Sequence, residues 1–383
     1  MRILYHHRTR ATDAQRVHIL EIVRAFRAAG HEVRIASLVD TEAAPAAPTK
    51  TGDAGWKDWV RRIPFSAEIV QLGYNVVALP WLLWTVLTWK PAFLYERHAI
   101  FNFAGVLAAT LTGRPLILEV NSPLAMEHDE EGTVTAPGFA RWCERQVFRL
   151  ASTILVVSGP LKRIVAGEGI DPAKIVVMAN GVDLSAFGAA PDATALRDKL
   201  GLQGATVIGF VGWFRPWHGL EMLIDAFHRA ELGWKGAKLL LIGDGPATPA
   251  LRKQVAALGL EECVVFAGAV PHDAIPEYLA LVDIAAQPAA NAYCCPMKVI
   301  EYMAMSKPIV APAQDNITEL LAEDREALTF APGDVDGMAG ALARLVASSE
   351  DRKRLGAAAR QAIDDRGLLW SRNAARVVEL ARR

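Results

Sequence analysis

The stretch Gln287-Pro-Ala-Ala-Asn-Ala-Tyr-Cys-Cys-Pro-Met-Lys-Val-Ile-Glu-Tyr-Met-Ala-Met-Ser-Lys-Pro308 decides the fold, because it joins a loop to a helix between two short apolar strands. Ala280–Pro288 reads as the strand before it and Lys307–Pro312 as the strand after it. A loop that leaves the carboxyl end of a parallel strand and enters a helix is where open α/β sheets bind ligands. Pro296 suits the first helical position, where its missing N–H costs nothing, so the amides of Met297, Lys298 and Val299 are free to meet an anion. Lys298 adds a full positive charge in that first turn, and Glu301 follows on roughly the same face. A diphosphate would meet the amides and the lysine, and a ribose diol would meet the carboxylate. The plainer reading, a solvated lysine–glutamate pair on a surface helix, stands beside this one.

Outward from this stretch the alternation continues. Arg2–Tyr5, a helical pattern over Gln15–Ala29 capped by Gly30, and Val33–Leu38 read as β-loop-α-β. Strands are expected again at Pro91–Tyr95, Pro115–Val120 and Ile154–Val157, with helical patterns at Phe101–Thr112 and Ala140–Leu150. The pattern restarts at Val207–Gly212 and runs through Leu220–Ala230, Lys238–Gly243, Val264–Ala267, Ile284–Gln287, Ile309–Ala311 and Ala327–Phe330. The fold class is therefore α/β, with two doubly wound halves and a cleft expected between them, where ligand pockets are favoured. The expected domains are 1–187 plus 368–383, and 188–367.

Composition narrows the function. A chain of 383 residues with 52% hydrophobic content has enough apolar mass for two cores. A formal net charge of −1 excludes a nucleic-acid binder built on a broad basic surface. Cys143, Cys263, Cys294 and Cys295 show neither paired C-x-x-C spacing nor a zinc signature, so no disulfide framework or metal site is expected. Cys294-Cys295 reads as small apolar packing at a tight turn, with a redox or metal site as the alternative. The N-terminus enters a strand without a signal-peptide core, and the expected location is the cytoplasm. Val76–Trp89 is apolar for about 14 residues, short of the roughly 18–20 that span a bilayer.

Several segments, taken in order, resemble glycosyltransferase family 4, the retaining enzymes of GT-B fold. They are Asn180-Gly-Val-Asp183 with Phe187, Phe210-Val-Gly212, Leu241-Ile-Gly-Asp-Gly-Pro246, Val265-Phe-Ala-Gly268 and Glu301-Tyr-Met-Ala304. The resemblance implies two facing Rossmann-like domains, the first for the acceptor and the second for a nucleoside-diphosphate sugar. It also implies a last helix, around Trp370–Arg382, that crosses back to the first domain, and no nicotinamide cofactor. Tyr-Cys-Cys-Pro-Met-Lys298 looks like a loop variant of polysaccharide-type members. No metal is expected, because protein cations and helix amides can offset the diphosphate charge.

Glu301 matches the second glutamate of the family's E-x7-E element, which holds the ribose hydroxyls. The first is replaced by Tyr293, so either Tyr293, Asn291 and the loop amides read the sugar or donor recognition differs from the usual pattern; Cys295, Pro296, Met297, Lys298 and Val299 complete the donor-side candidates. At Gly212-Trp-Phe-Arg-Pro-Trp-His-Gly219 the family's arginine and lysine are replaced by Trp213 and His218. Arg215 is then the expected source of the displaced charge, with His218, Gly212 and Gly243 beside the donor. Departure of the diphosphate builds negative charge, which Arg215 and Lys298 would stabilise. A surface ion pair is the alternative for Arg215.

On the acceptor side the resemblance points to Asn121, with Glu119 two residues earlier on the same strand face as its partner or base. His98, after another apolar strand, is the alternative near the reacting centre, although a lone histidine is more often structural. Asp13, Gln15, Arg16 and His18, read as a loop entering the first helix, line the acceptor side. Trp56, Trp59, Trp81, Trp84 and Trp89 lie among Lys57, Arg61, Arg62 and Lys90, a composition that suits either internal packing or an inner-membrane surface over residues 56–90.

The expected function is transfer of a sugar from a nucleotide donor to a saccharide or polyprenyl-lipid-linked acceptor. Two rivals remain at this point, a sugar-nucleotide epimerase of the same fold and a catalytically degenerate nucleotide-sugar-binding subunit.

Overall fold

The computed structural model describes residues 1–9, 14–39, 42, 65–188 and 191–382. The chain divides into two units, Met1–Ala179 with Ser371–Arg383, and Asn180–Trp370. These bounds differ from the sequence-derived ones because residues 180–187 bond to the second unit. Asn180 Nδ2 donates to the Cys295 carbonyl at 2.7 Å, and the Val182 amide donates to the Leu368 carbonyl at 3.0 Å. The final helix runs over Trp370–Leu380, and from Ser371 onward it groups with the first unit.

The first unit holds six strands: β1 (Arg2–His6), β2 (Glu32–Ala36), β3 (Phe93–Arg97), β4 (Leu116–Val120), β5 (Thr153–Val156) and β6 (Ile175–Val177). They pair in the order β2-β1-β3-β4-β5-β6, all parallel. β3 and β4 are buried along their whole length, which is why they read as apolar runs rather than alternating ones. Order reverses between β1 and β3, where His6 lies in register with Glu96.

The second unit repeats the plan with β7 (Thr206–Val211), β8 (Ala237–Ile242), β9 (Val264–Gly268), β10 (Ile284–Ala286), β11 (Ile309–Pro312) and β12 (Ala327–Phe330). The order is β12-β11-β10-β7-β8-β9, again parallel, and the reversal falls between β7 and β10. Phe210, Phe214, Leu223, Phe227 and Leu241 fill the layer beneath, and burying each large side chain contributes roughly 1.5–3 kcal/mol.

Two sequence expectations need correction. The apolar run at Val76–Trp89 belongs to a 24-residue helix, Ser66–Trp89, of which Glu68–Trp89 is long and apolar enough by composition to cross a membrane. It packs on the helix Ala104–Thr112 and buries Tyr74, Ala78, Leu82 and Val86. Ile69, Val70, Val76, Val77, Trp84 and Leu87 stay exposed at helical spacing, as does the margin of Trp81. Trp56, Trp59, Lys57, Arg61 and Arg62 lie outside the described residues. Second, Gln15, Arg16 and His18 sit in the first turns of the helix Ala14–Ala28 rather than in a loop before it, and Asp13 lies outside the described residues.

Candidate functional site

At the reversal point of the second sheet, the segments after β7 and β10 converge. The helix Met297–Ala304 starts here, with Pro296 as its N-cap at ψ 111° rather than as its first residue. A proline's φ fits either position, so only the tertiary path of the loop distinguishes them. Tyr302 fixes this helix to the sheet, because the Val211 amide donates to its hydroxyl at 2.9 Å.

Lys298 is half-buried with its ammonium 4.0 Å from the centre of the Phe210 ring and 3.5 Å from His218 Nε2. A Cβ on Gly212, whose φ is +146°, would stand 2.8 Å from that ammonium, so glycine is required where the lysine passes. Gly243 serves the same close approach one strand over, since a Cβ there would meet the Gly212 carbonyl. Burial draws Lys298 down to about 7, against the opposing pull of Cys294 and Glu301. Burial and then the lysine draw His218 down to about 3, leaving a neutral ring. Arg215 is half-buried, lies over the Trp217 ring at 5.0 Å and meets no carboxylate among the described residues. Among the described residues neither Lys298 nor Arg215 has a carboxylate within ion-pair distance; Glu301, one turn on, acts on Lys298 only from further away.

The loop that carries these groups is held by side chains the sequence reading did not single out. Asn316 Nδ2 donates to the carbonyls of Asn291 at 3.0 Å and Cys294 at 2.8 Å, and Gln314 Nε2 donates to that of Ala290 at 3.3 Å. Both follow β11, the strand next to β10, so only sheet order reveals their proximity. Asn180 holds Cys295 from the other side, its amide donating to Sγ at 3.3 Å. Burial drives the Cys295 thiol up to about 12, so it is a packing group rather than a donor contact. Val299 is fully buried, and its side chain is likewise closed to a ligand. Asn291 Nδ2 reaches the Tyr293 hydroxyl at 3.5 Å, and Tyr293 and Met297 are half-buried at the loop surface. Glu301 accepts from His272 Nε2 at 3.2 Å.

The carboxyl edge of the first sheet is also charged, but its charges are paired. Glu119 accepts from the Tyr95 hydroxyl at 2.7 Å, from Arg97 at 2.6 Å and from Asn121, and His18 Nδ1 stands 3.4 Å away. Burial raises its carboxyl, yet His18, Arg97 and these hydrogen bonds outweigh burial and hold it below the ordinary range. Occupied on all sides, Glu119 is an ion-pair partner and not a free base. His98 is corrected too: it bonds Glu144 at 3.0 Å, packs on Phe148, and its side chain is 2% exposed, which closes it to a substrate. Of the sequence candidates, half-buried Asn121 and Arg16 and exposed Gln15 remain accessible. His6 is bonded to Glu96 and lies 2.8 Å from the Tyr74 hydroxyl. His7, next to it, is drawn down to about 4 by burial, His6 and Arg97. The signal for this cluster was legible: Glu96 and Arg97 end an apolar strand run, an expensive place for charge unless paired. Among the described residues no group of three or more His, Cys, Asp or Glu could hold a metal ion.

Comparison with known proteins accounts for both halves. The family model described as "Glycosyl transferase 4-like domain" matches residues 14–181, and that described as "Glycosyl transferases group 1" matches residues 205–348. Alpha-D-kanosaminyltransferase of Streptomyces kanamyceticus is 27% identical over 66% of this chain and 67% of its own length. The GDP-mannose-dependent alpha-(1-6)-phosphatidylinositol monomannoside mannosyltransferase of Mycolicibacterium smegmatis is 24% identical over 84% and 87%. Among solved structures, HepE of Anabaena in complex with UDP superposes with a TM-score of 0.76 at 19% identity, covering 99% of each chain. Sucrose-phosphate synthase of Thermosynechococcus elongatus gives 0.74 at 18%, covering 100% of this chain and 98% of that one. These likenesses establish the GT-B fold with its two Rossmann-like domains. With each half matched by a glycosyltransferase domain model and its curated relatives named as transferases, the chain is a glycosyltransferase.

Proposed function

We propose that this glycosyltransferase takes a hexose-type sugar from a nucleoside diphosphate and passes it, with retention, to a saccharide or polyprenyl-lipid-linked acceptor in polysaccharide or glycolipid assembly. The observation that carries this is Lys298, a half-buried basic group against Gly212 at the reversal point of the second sheet, with Arg215 three residues after Gly212 and no carboxylate within ion-pair distance of either among the described residues. As the bond between the sugar's anomeric carbon and the diphosphate oxygen breaks, negative charge gathers on the leaving group, and positioned cations stabilise it there. The acceptor hydroxyl forms the new bond, and its proton passes to a phosphate oxygen of the departing diphosphate. Glu301 takes the ribose diol, and Tyr293 and Asn291 border the sugar. Protein cations and helix amides suffice for the charge, so the reaction runs without a divalent metal; loss of activity in EDTA would contradict this.

The relatives are named as transferases, which disfavours the epimerase and binding-subunit readings. A thermal-shift screen against UDP-, GDP-, ADP- and dTDP-sugars tests the donor: at about a hundred times Kd a bound ligand adds roughly 2.7 kcal/mol. No stabilisation by any of them defeats the reading. Slow release of free nucleotide marks a transferase, and an isomerised donor marks an epimerase.

The exposed row from Ile69 to Leu87 supports peripheral association with the cytoplasmic membrane face, which would bring a lipid-linked acceptor to the first unit. Glu68, the one acidic residue of that helix, is buried and accepts from the Thr135 amide at 2.5 Å, so the exposed face is free of charge. Failure of the protein to float with anionic liposomes would defeat this part.

A further inference from the structure

His272 lies in the segment between β9 and the helix Ile275–Ala280, yet its ring meets Glu301 on the helix that follows β10. β9 is the edge strand and is separated from β10 by β8 and β7, so this segment reaches across the carboxyl ends of the sheet. The His272 ring also stands against Phe187, at 5.7 Å between centroids, and Phe187 is buried. The short helix Leu184–Phe187 in turn packs against the helix Met297–Ala304. Three separate stretches of sequence therefore converge on one carboxylate.

The arrangement at that carboxylate is one-sided. Oε1 of Glu301 receives His272 Nε2, whereas Oε2 accepts no hydrogen bond from any described residue. The glutamate is 8% exposed, and the histidine side chain is 38% exposed. A carboxylate with one oxygen held and the other open is oriented for a single further donor pair, and the exposed ring edge lies beside whatever binds there.

We infer that His272 is a donor-positioning residue: it holds Glu301 by one oxygen so that the other faces the ribose hydroxyls of the nucleotide, and it forms the wall next to them. This rests on the reading of Glu301 as the ribose-binding acid. Without the histidine the carboxylate would rotate freely and face the nucleotide only part of the time. A charge-assisted hydrogen bond of this kind corresponds to about ten- to a hundredfold in affinity.

Titration calorimetry with UDP and GDP, each against its 2′-deoxy form, tests it in the full-length protein and in His272→Ala, His272→Gln, Glu301→Gln and the His272→Ala/Glu301→Gln double variant. The ribose forms should bind the wild type more tightly than the deoxy forms. His272→Ala should lower that ratio about tenfold, His272→Gln should restore most of it through its own N–H, and His272→Ala should add nothing in the Glu301→Gln background. An unchanged ratio in His272→Ala, or full additivity with Glu301→Gln, overturns the inference and leaves the histidine a packing residue. An unchanged ratio in Glu301→Gln overturns the underlying ribose assignment instead, and absence of any nucleotide binding by the wild type overturns the proposed function.

Discussion

The carboxyl edges of the two sheets are built on the same plan and charged in opposite ways. In the first unit three buried acids near that edge have basic partners: Glu96 with His6, Glu119 with Arg97 and His18, Glu144 with His98. In the second unit the groups in direct contact with Lys298 and Arg215 are neutral, Phe210, His218 and Trp217, and Glu301 acts on the lysine only from a turn away. A self-neutralised edge suits an uncharged hydroxyl acceptor, and an unbalanced one attracts a diphosphate. The comparison teaches that a repeated fold offers two similar strand edges, while their charge balance is what would separate the acceptor side from the diphosphate side in the proposed reaction.

The strongest way to break the contrast is to remove the unbalanced charge. Lys298→Met should lower kcat/KM by about a thousandfold in a donor-consumption assay, the scale of one lost charge-stabilising group. Its melting temperature should exceed that of the wild type most clearly near pH 6. Below about 7 the wild-type lysine is charged in both states and its burial penalty is complete. As pH rises from 7 toward the unfolded value of 10.5 the folded chain sheds this proton first, so the wild type gains stability and the difference narrows. A variant that retains activity would place the diphosphate elsewhere.

The converse change in the first unit should act on stability. Glu119→Gln leaves Arg97 buried without its counter-charge, and the expected loss is about 3–5 kcal/mol in urea denaturation. If activity fell while stability held, Glu119 would be chemical after all. A smaller effect concerns protons. A diphosphate should restore the charge on Lys298, so binding takes up a proton above pH 7, and donor affinity should fall about tenfold per pH unit from there toward 10. Calorimetry in buffers of different ionisation enthalpy measures that uptake, and Lys298→Met should abolish it. The smallest expected change is in Trp81→Ser/Trp84→Ser, which should reduce liposome flotation by roughly tenfold and leave hydrolysis of a soluble donor unaltered.

Much of this was legible in sequence for a specific reason. Parallel strands buried on both faces leave apolar runs, and Gly212, Lys298 and Glu301 fall at fixed offsets from such runs. Residues that act through neighbours in space were harder to see. Asn316 lies 22 residues after Cys294 in sequence, yet it holds that loop because β11 pairs with β10. His98 looked like a catalytic candidate because it follows a strand, and only its contacts with Glu144 and Phe148 show it closed. The apolar run at Val76–Trp89 looked too short because periodicity alone does not mark where a helix begins when Glu68 and Tyr74 are buried through polar partners.

By itself the sequence determined the two α/β halves, the loop-to-helix junction at Pro296 and the presence of Lys298 and Glu301 on its first turns. These are local matters of period, proline geometry and residue type. Only the tertiary structure decided which charges are cancelled and which are left unbalanced, because charge pairing depends on sheet order, and parallel strand order joins residues that lie far apart along the chain.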